Sequence, residues 1–125
     1  MRIRVIRIVS CKNNRSVADQ CGVAESFLGR LRGLIGVKYL EEGKGLMLKP
    51  CNDIHMWFMS IPIDVVFVKT RGTDFSEVEV TSVYPGLQPW HFFPVSDKKA
   101  SVTLELPVGT IDRCELQSGD LLCLS

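Results

Sequence analysis

The sequence predicts a mainly β fold (β-rich α+β): a small closed or nearly closed β-barrel, or else a sandwich. It would carry one substantial helix near the N-terminus and a short helical turn near the C-terminus. Three observations predict it. Short period-two alternations recur between turn signals, a single stretch has helical periodicity, and the length of 125 residues is that of one ordinary domain.

Taken in order, Arg2 to Val9 alternates Ile3 and Val5 with Arg2 and Arg4 before turning apolar at Ile8 and Val9, which suits a strand entering a core. Ser10 to Asn14 is a turn, and a short second strand follows around Ser16 to Ala18. Val23, Phe27, Leu31, Leu34 and Ile35 recur at spacings of three and four, so a helix is expected from about Val23 to Leu34. Gly29 and Gly33 each cost such a helix roughly 1 kcal/mol against alanine, so close packing or an early cap at Gly33 must offset them. Gly45 to Leu48 reads as a buried strand ended by Pro50, and Ile63 to Val68 as a longer one ended at Arg71-Gly72. Glu77 to Tyr84 alternates as a strand with one wet face until Pro85-Gly86 turns the chain. Ser101 to Leu106 alternates again and is broken by Pro107-Val108-Gly109. Thr110 can N-cap a helical turn through Cys114, and Ser118-Gly119-Asp120 leads into a last strand, Leu121 to Leu124. No repeat, linker or low-complexity tract divides the chain, so residues 1–125 form a single domain.

Composition bounds the function. Hydrophobic residues at 46% and charged residues at 23% are ordinary globular usage. Fifteen basic against 14 acidic side chains leave no global field to draw the chain onto nucleic acid or an anionic membrane. Arg4 and Arg7 interrupt what would be the apolar core of a signal peptide, and no run approaches the roughly 18 apolar residues a spanning helix needs. Cys11, Cys21, Cys51, Cys114 and Cys123 are odd in number and contain no C-x-x-C pair, which favours reduced thiols in a cytoplasmic, soluble monomer.

Several segments are recognisable together: Arg30-Leu-Arg-Gly-Leu; Gly45-Leu-Met-Leu; Ile54-His-Met-Trp-Phe-Met; Pro62-Ile-Asp-Val-Val-Phe; and Leu104-Glu-Leu-Pro-Val-Gly-Thr with Ser118-Gly-Asp. In this order, from about Ala24 to Leu124, the chain resembles the uncharacterised prokaryotic family designated domain of unknown function 192. The resemblance implies a compact β-rich fold with an early helix, in relatives often preceded by a secretion signal, and it implies no activity. After Gly33, relatives often continue Leu-Met and a basic residue, whereas this chain reads Leu34-Ile-Gly-Val-Lys38.

Chemically capable residues concentrate between Pro50 and Asp64. Cys51, His55 and Met59 are soft-metal ligands four apart, on one face whether the segment is helical or extended. A metal site is nonetheless not expected, because the chain lacks closely paired ligands; packing and ordinary hydrogen bonding account for all three. Asp64 lies between Ile63 and Val65 in an apolar run, where an unpaired carboxylate is costly. Its candidate partners are Arg30, Arg32, His55 or backbone N–H groups across the bend at Pro62. Glu105 raises the same question, with solvation of its face as the simple answer. Trp90 and His91 sit in a proline-flanked aromatic loop that can close the barrel mouth or stack on a sugar or base. Ser60 lies in no G-x-S-x-G context.

Two functions compete. In a binding or interaction module, Arg30, His55, Asp64, Trp90 and Glu105 converge at one end of the barrel on a small polar ligand or a protein terminus, without a cofactor. In an enzyme, Asp64 or His55 is a general base and Arg30 stabilises an anion. The first is favoured because it requires convergence alone.

Overall fold

A computed structural model describes residues 4–125. Seven strands close a barrel: β1 (Arg4–Ser10), β2 (Ser16–Ala24), β3 (Lys44–Leu48), β5 (Ile63–Thr70), β6 (Glu77–Leu87), β8 (Val102–Leu106) and β9 (Leu121–Leu124). Around the barrel they run β1-β2-β3-β8-β5-β6-β9, and β9 returns to β1. All neighbours are antiparallel except β2 and β3, which are parallel. Two-residue strands β4 (Asp53–Ile54) and β7 (Val95–Ser96) pair separately. The helices are α1 (Phe27–Arg32) and α2 (Thr110–Cys114).

Period-two geometry sorts side chains into two cores. Met47, Val66, Val68, Val102, Leu104 and Leu106 point into the barrel with Ile8, Val17 and Leu122, and Ile111, Cys114 and Leu116 plug one end. Alternating with them, Leu46, Leu48, Val65 and Phe67 point outward into a second core with Ile54, Met56, Met59 and Leu34, which lie in the covering segments. One barrel wall is therefore buried on both faces, which is why β3 and β5 read as nearly continuous apolar runs.

The substantial helix expected over Val23–Leu34 is not present. Val23 and Ala24 instead pair with Met47 and Leu48 as the end of β2, and α1 has six residues. Helical spacing and a two-sided strand share apolar positions over so short a run; pairing with β3 takes Val23 and Ala24 into the sheet, and the glycines bound the short helix that remains. Ser26 Oγ accepts the Gly29 N–H at 3.0 Å, and a methyl at Gly29 would lie 2.8 Å from that oxygen. Gly33 ends the helix at φ 51°.

Pro85-Gly86 does not turn the chain out of the sheet. Register shifts between Ile63 and Val65, so Asp64 faces the two residues Pro85 and Gly86 in a bulge. At α2 the N-cap is Gly109 rather than Thr110, whose hydroxyl donates to the Pro107 carbonyl at 2.7 Å.

The expectation of unpaired thiols also requires correction. Cys11 and Cys123 form a disulfide, with Cα atoms 6.2 Å apart, beside the β1–β9 seam. Their positions at opposite ends of the chain conceal a pairing made only when the barrel closes. Cys21, Cys51 and Cys114 are free, and burial pushes the Cys21 thiol up to about 12, leaving it an inert core residue. Among the described residues, no helix is long and apolar enough to cross a membrane.

Candidate functional site

A cavity of about 230 Å3 opens on the outer wall of the barrel, between the β3–β8 surface and the segments that cover it. Glu105 of β8 forms its floor. It lies opposite Leu46 and Val65, on the outward face, while its neighbours Leu104 and Leu106 point into the barrel. Arg30, Arg32 and Gly33 of the α1 region form one side, and Cys51, His55 and Met59 another.

Local hydrogen bonds hold the covering segment in place. The Cys51 N–H donates to the Ser101 carbonyl at 3.0 Å, and the Thr103 hydroxyl donates to the Cys51 carbonyl at 2.9 Å. Asp53 and Ile54 then pair with Ser96 and Val95, which aims His55 at the cavity. On its other side His55 stacks on Trp57 with ring centroids 4.8 Å apart.

Two polar atoms here are buried without a hydrogen-bond partner among the described residues: Oε1 of Glu105 and Nδ1 of His55. Glu105 is only 4% exposed, and a methyl at Gly33 would approach its Oε1 to 3.0 Å, so glycine lets the α1 turn close over the carboxyl. Burial raises the Glu105 pKa to about 7, against an opposing hydrogen bond from the Leu34 backbone N–H. Near neutral pH both the protonated and the ionised form of the group are therefore populated. Arg30 directs a guanidinium N–H to the Glu25 carbonyl at 2.7 Å and Arg32 is exposed, and neither forms an ion pair among the described residues.

The fold does not gather the five residues expected to converge. Arg30, His55 and Glu105 line the cavity; Asp64 and Trp90 do not. Asp64 has the parity of Val66 and Val68 and lies on the other face of the sheet from Val65. It is 1% exposed, and its carboxylate accepts three backbone N–H groups: Gly86 at 2.8 Å, Gly109 at 3.2 Å and Ile111 at 2.9 Å. Backbone donors are thus the partner, supplied by the β6 bulge and the start of α2 rather than by the Pro62 bend. Trp90 is exposed, so its ring does not close the barrel mouth. The cavity that three of them line lies on the outer wall of the barrel, not at its end.

Cys51, His55 and Met59 do line this cavity together, but the Cys51 thiol donates to the Asp53 carbonyl at 3.2 Å. Among the described residues, the group of His, Cys, Asp and Glu side chains with metal-like spacing is Cys11, Glu77 and Cys123, and the disulfide engages both sulfurs there. Solvation was the wrong expectation for Glu105. Its signal was available in β3 and β5, whose apolar residues on both faces imply that the β8 strand between them is covered on both faces too.

The class defined by these features is a seven-stranded barrel with a short-helix plug and a polar cavity on a doubly buried wall. The chain belongs to the DUF192 family, an uncharacterized ACR, whose model matches residues 8–124. The UPF0127 protein TK1120 of Thermococcus kodakarensis is 31% identical over 106 residues, which cover 80% of this chain and 61% of that protein. The chain thus spans about three-fifths of that curated relative's length. A protein of unknown function from Novosphingobium aromaticivorans has the same fold, with a TM-score of 0.78 at 18% identity over 96% of this chain and 84% of that one. So has a proposed transcription regulator from Sinorhizobium meliloti, with a TM-score of 0.77 at 19% identity over 97% and 92%.

Proposed function

We propose that the protein is a binding module whose outer-wall cavity takes a small polar ligand bearing an anionic group and at least one hydroxyl or amino group. The observation that carries this reading is the pair of buried, unpartnered atoms, Glu105 Oε1 and His55 Nδ1, facing one cavity. Leaving such atoms unpaired costs roughly 1–3 kcal/mol each, a cost that a ligand able to hydrogen-bond both would remove. Arg30 and Arg32 at the rim supply the complement to an anionic group. The protein acts as a monomer without a nucleic-acid role. The Cys11–Cys123 bridge favours an oxidising compartment over the cytoplasm that unpaired cysteines suggested.

An enzymatic reading is favoured by one observation, the near-neutral Glu105 carboxyl, which makes Glu105 a better general acid or base than Asp64. Titrating small hydroxy and amino acids and their phosphate esters while following backbone amide NMR shifts tests the binding proposal. The expected outcome is a set of shifts around Gly33, His55 and Glu105, with affinity falling about tenfold in Glu105→Gln and in Arg32→Ala. Shifts that map elsewhere, or an affinity that neither variant lowers, would dismiss the cavity as the site. Turnover of any bound compound, abolished in Glu105→Gln, would select the enzyme.

A further inference from the structure

The loops on either side of the β4–β7 pair, residues 55–62 and 88–94, contain no Asp, Glu, Lys or Arg, in a chain that is 23% charged. Because β4 and β7 are antiparallel, the end of β4 and the start of β7 are neighbours, and both loops leave from that side. They expose Phe58 at 82%, Trp90 at 79%, Phe92 at 71% and Phe93 at 73%. Trp57 ties the loops together: its indole N–H donates to the Phe92 carbonyl at 2.7 Å, and its ring lies 6.3 Å from that of Phe92. Phe92 and Phe93 meet edge to face at 5.6 Å.

Phe58 is the telling residue. It holds φ at 66°, the left-handed region that glycine occupies freely and a bulky side chain does not, while its ring stands in water. The φ closes a turn in which the Met59 N–H donates to the Met56 carbonyl at 3.1 Å, but that turn needs no aromatic ring in water, and glycine would close it with less strain. Strain of this kind persists where geometry serves a contact.

We propose that these two loops seat the protein on an anionic membrane surface, with Phe58, Phe92, Phe93 and Trp90 entering the interfacial layer. Aromatic side chains on uncharged loops suit that layer, where rings are buried without desolvating ions. The surrounding charge favours anionic lipid. Arg30 and Arg32 line the cavity beside His55 and Met59 of the first loop and form no ion pairs among the described residues. Asp53 and Asp97 oppose them, and Asp97 is engaged by the Ser82 hydroxyl and the Lys99 backbone N–H. The near-zero net charge that argued against membrane contact describes the whole chain and conceals this local pattern. The surface adjoins the cavity and shares Arg30 and Arg32 with it, but Glu105 lies on the cavity floor away from the aromatic rings, so Glu105→Gln is expected to leave membrane association intact.

The test is co-sedimentation of the full chain with vesicles of phosphatidylcholine alone and of phosphatidylcholine mixed with phosphatidylglycerol, with emission of the two tryptophans, Trp57 and Trp90, followed in parallel. Association with the mixed vesicles and a blue shift are expected. Phe58→Gly is expected to weaken association about tenfold or more while raising the melting temperature, because it removes strain and contact together. The double variant Phe92→Ser with Phe93→Ser is expected to abolish association with an unchanged circular dichroism spectrum. Absence of association, equal association with both vesicle types, or insensitivity to Phe58→Gly would overturn the proposal. A solution dimer that Phe92→Ser dissociates would reassign the surface to a second copy of the chain.

Discussion

Protonation of Glu105 couples stability to pH near neutrality. Its carboxyl has an ordinary value of 4.5 and titrates near 7 in the fold, because burial disfavours the charged form more than the Leu34 N–H favours it. A raised value in the folded state means that the folded protein holds the proton more tightly than the unfolded chain. The contribution is fully present below the ordinary value and is lost as pH rises through about 7. The span corresponds to an upper figure of about 3 kcal/mol. Glu105→Gln keeps the shape and an acceptor for Leu34 but carries no charge at any pH. Urea unfolding at pH 5 and pH 8 is expected to give similar stabilities for the variant and a lower value at pH 8 for the parent. Parallel pH profiles for the two proteins would refute burial of this carboxyl.

At the scale of elements, α2 is too short to be stable alone and depends on what meets its first turn. Gly109 at the N-cap has no side chain to accept the leading N–H groups, and Asp64 accepts two of them from the strand beside β8. The same carboxylate takes the Gly86 N–H released by the β6 bulge, so one side chain joins β5, β6 and the plug. Asp64→Asn replaces one accepting oxygen with an amide that donates, against an N–H that also donates. A loss of about 3 kcal/mol is expected in urea unfolding, with ligand affinity at the outer-wall cavity unchanged. Lost affinity without lost stability would instead move Asp64 into the site. Asp64 also marks where sequence reasoning stops. A carboxylate between Ile63 and Val65 announces that a partner must exist, and alternation along β8 announces two faces. The donors, however, come from 22 to 47 residues away through a bulge that no local pattern encodes. The early helix failed for a related reason: whether Val23 and Ala24 are helix or strand is decided by their pairing with Met47 and Leu48, not by their own spacing. Arg30, His55 and Glu105 were legible as polar groups needing explanation, while their separation from Asp64 follows from sheet parity once the register is known.

The whole molecule is closed by joining its two ends. β1 and β9 pair over three residues, Ile8 to Ser10 with Leu124 to Leu122, and the Cys11–Cys123 bridge lies beside that seam. A cross-link between residues 112 apart in sequence removes far more freedom from the unfolded chain than from the barrel, whose strands already hold the two cysteines together. On chain entropy alone a loop of this length contributes up to about 4.7 kcal/mol, and measured bridges commonly give about 2–4 kcal/mol. Both sulfurs lie on exposed residues, so a reductant can reach the bond without prior unfolding. Cys123→Ser is therefore expected to lower the unfolding free energy by about 2–4 kcal/mol in non-reducing buffer. Dithiothreitol should bring the parent down to the same value and leave the variant unmoved. The barrel should keep its circular dichroism spectrum in each case, because the β1–β9 hydrogen bonds and the interior core remain. If reductant and substitution both leave the unfolding midpoint where it was, closure rests on the strands alone and the bridge has no part in it.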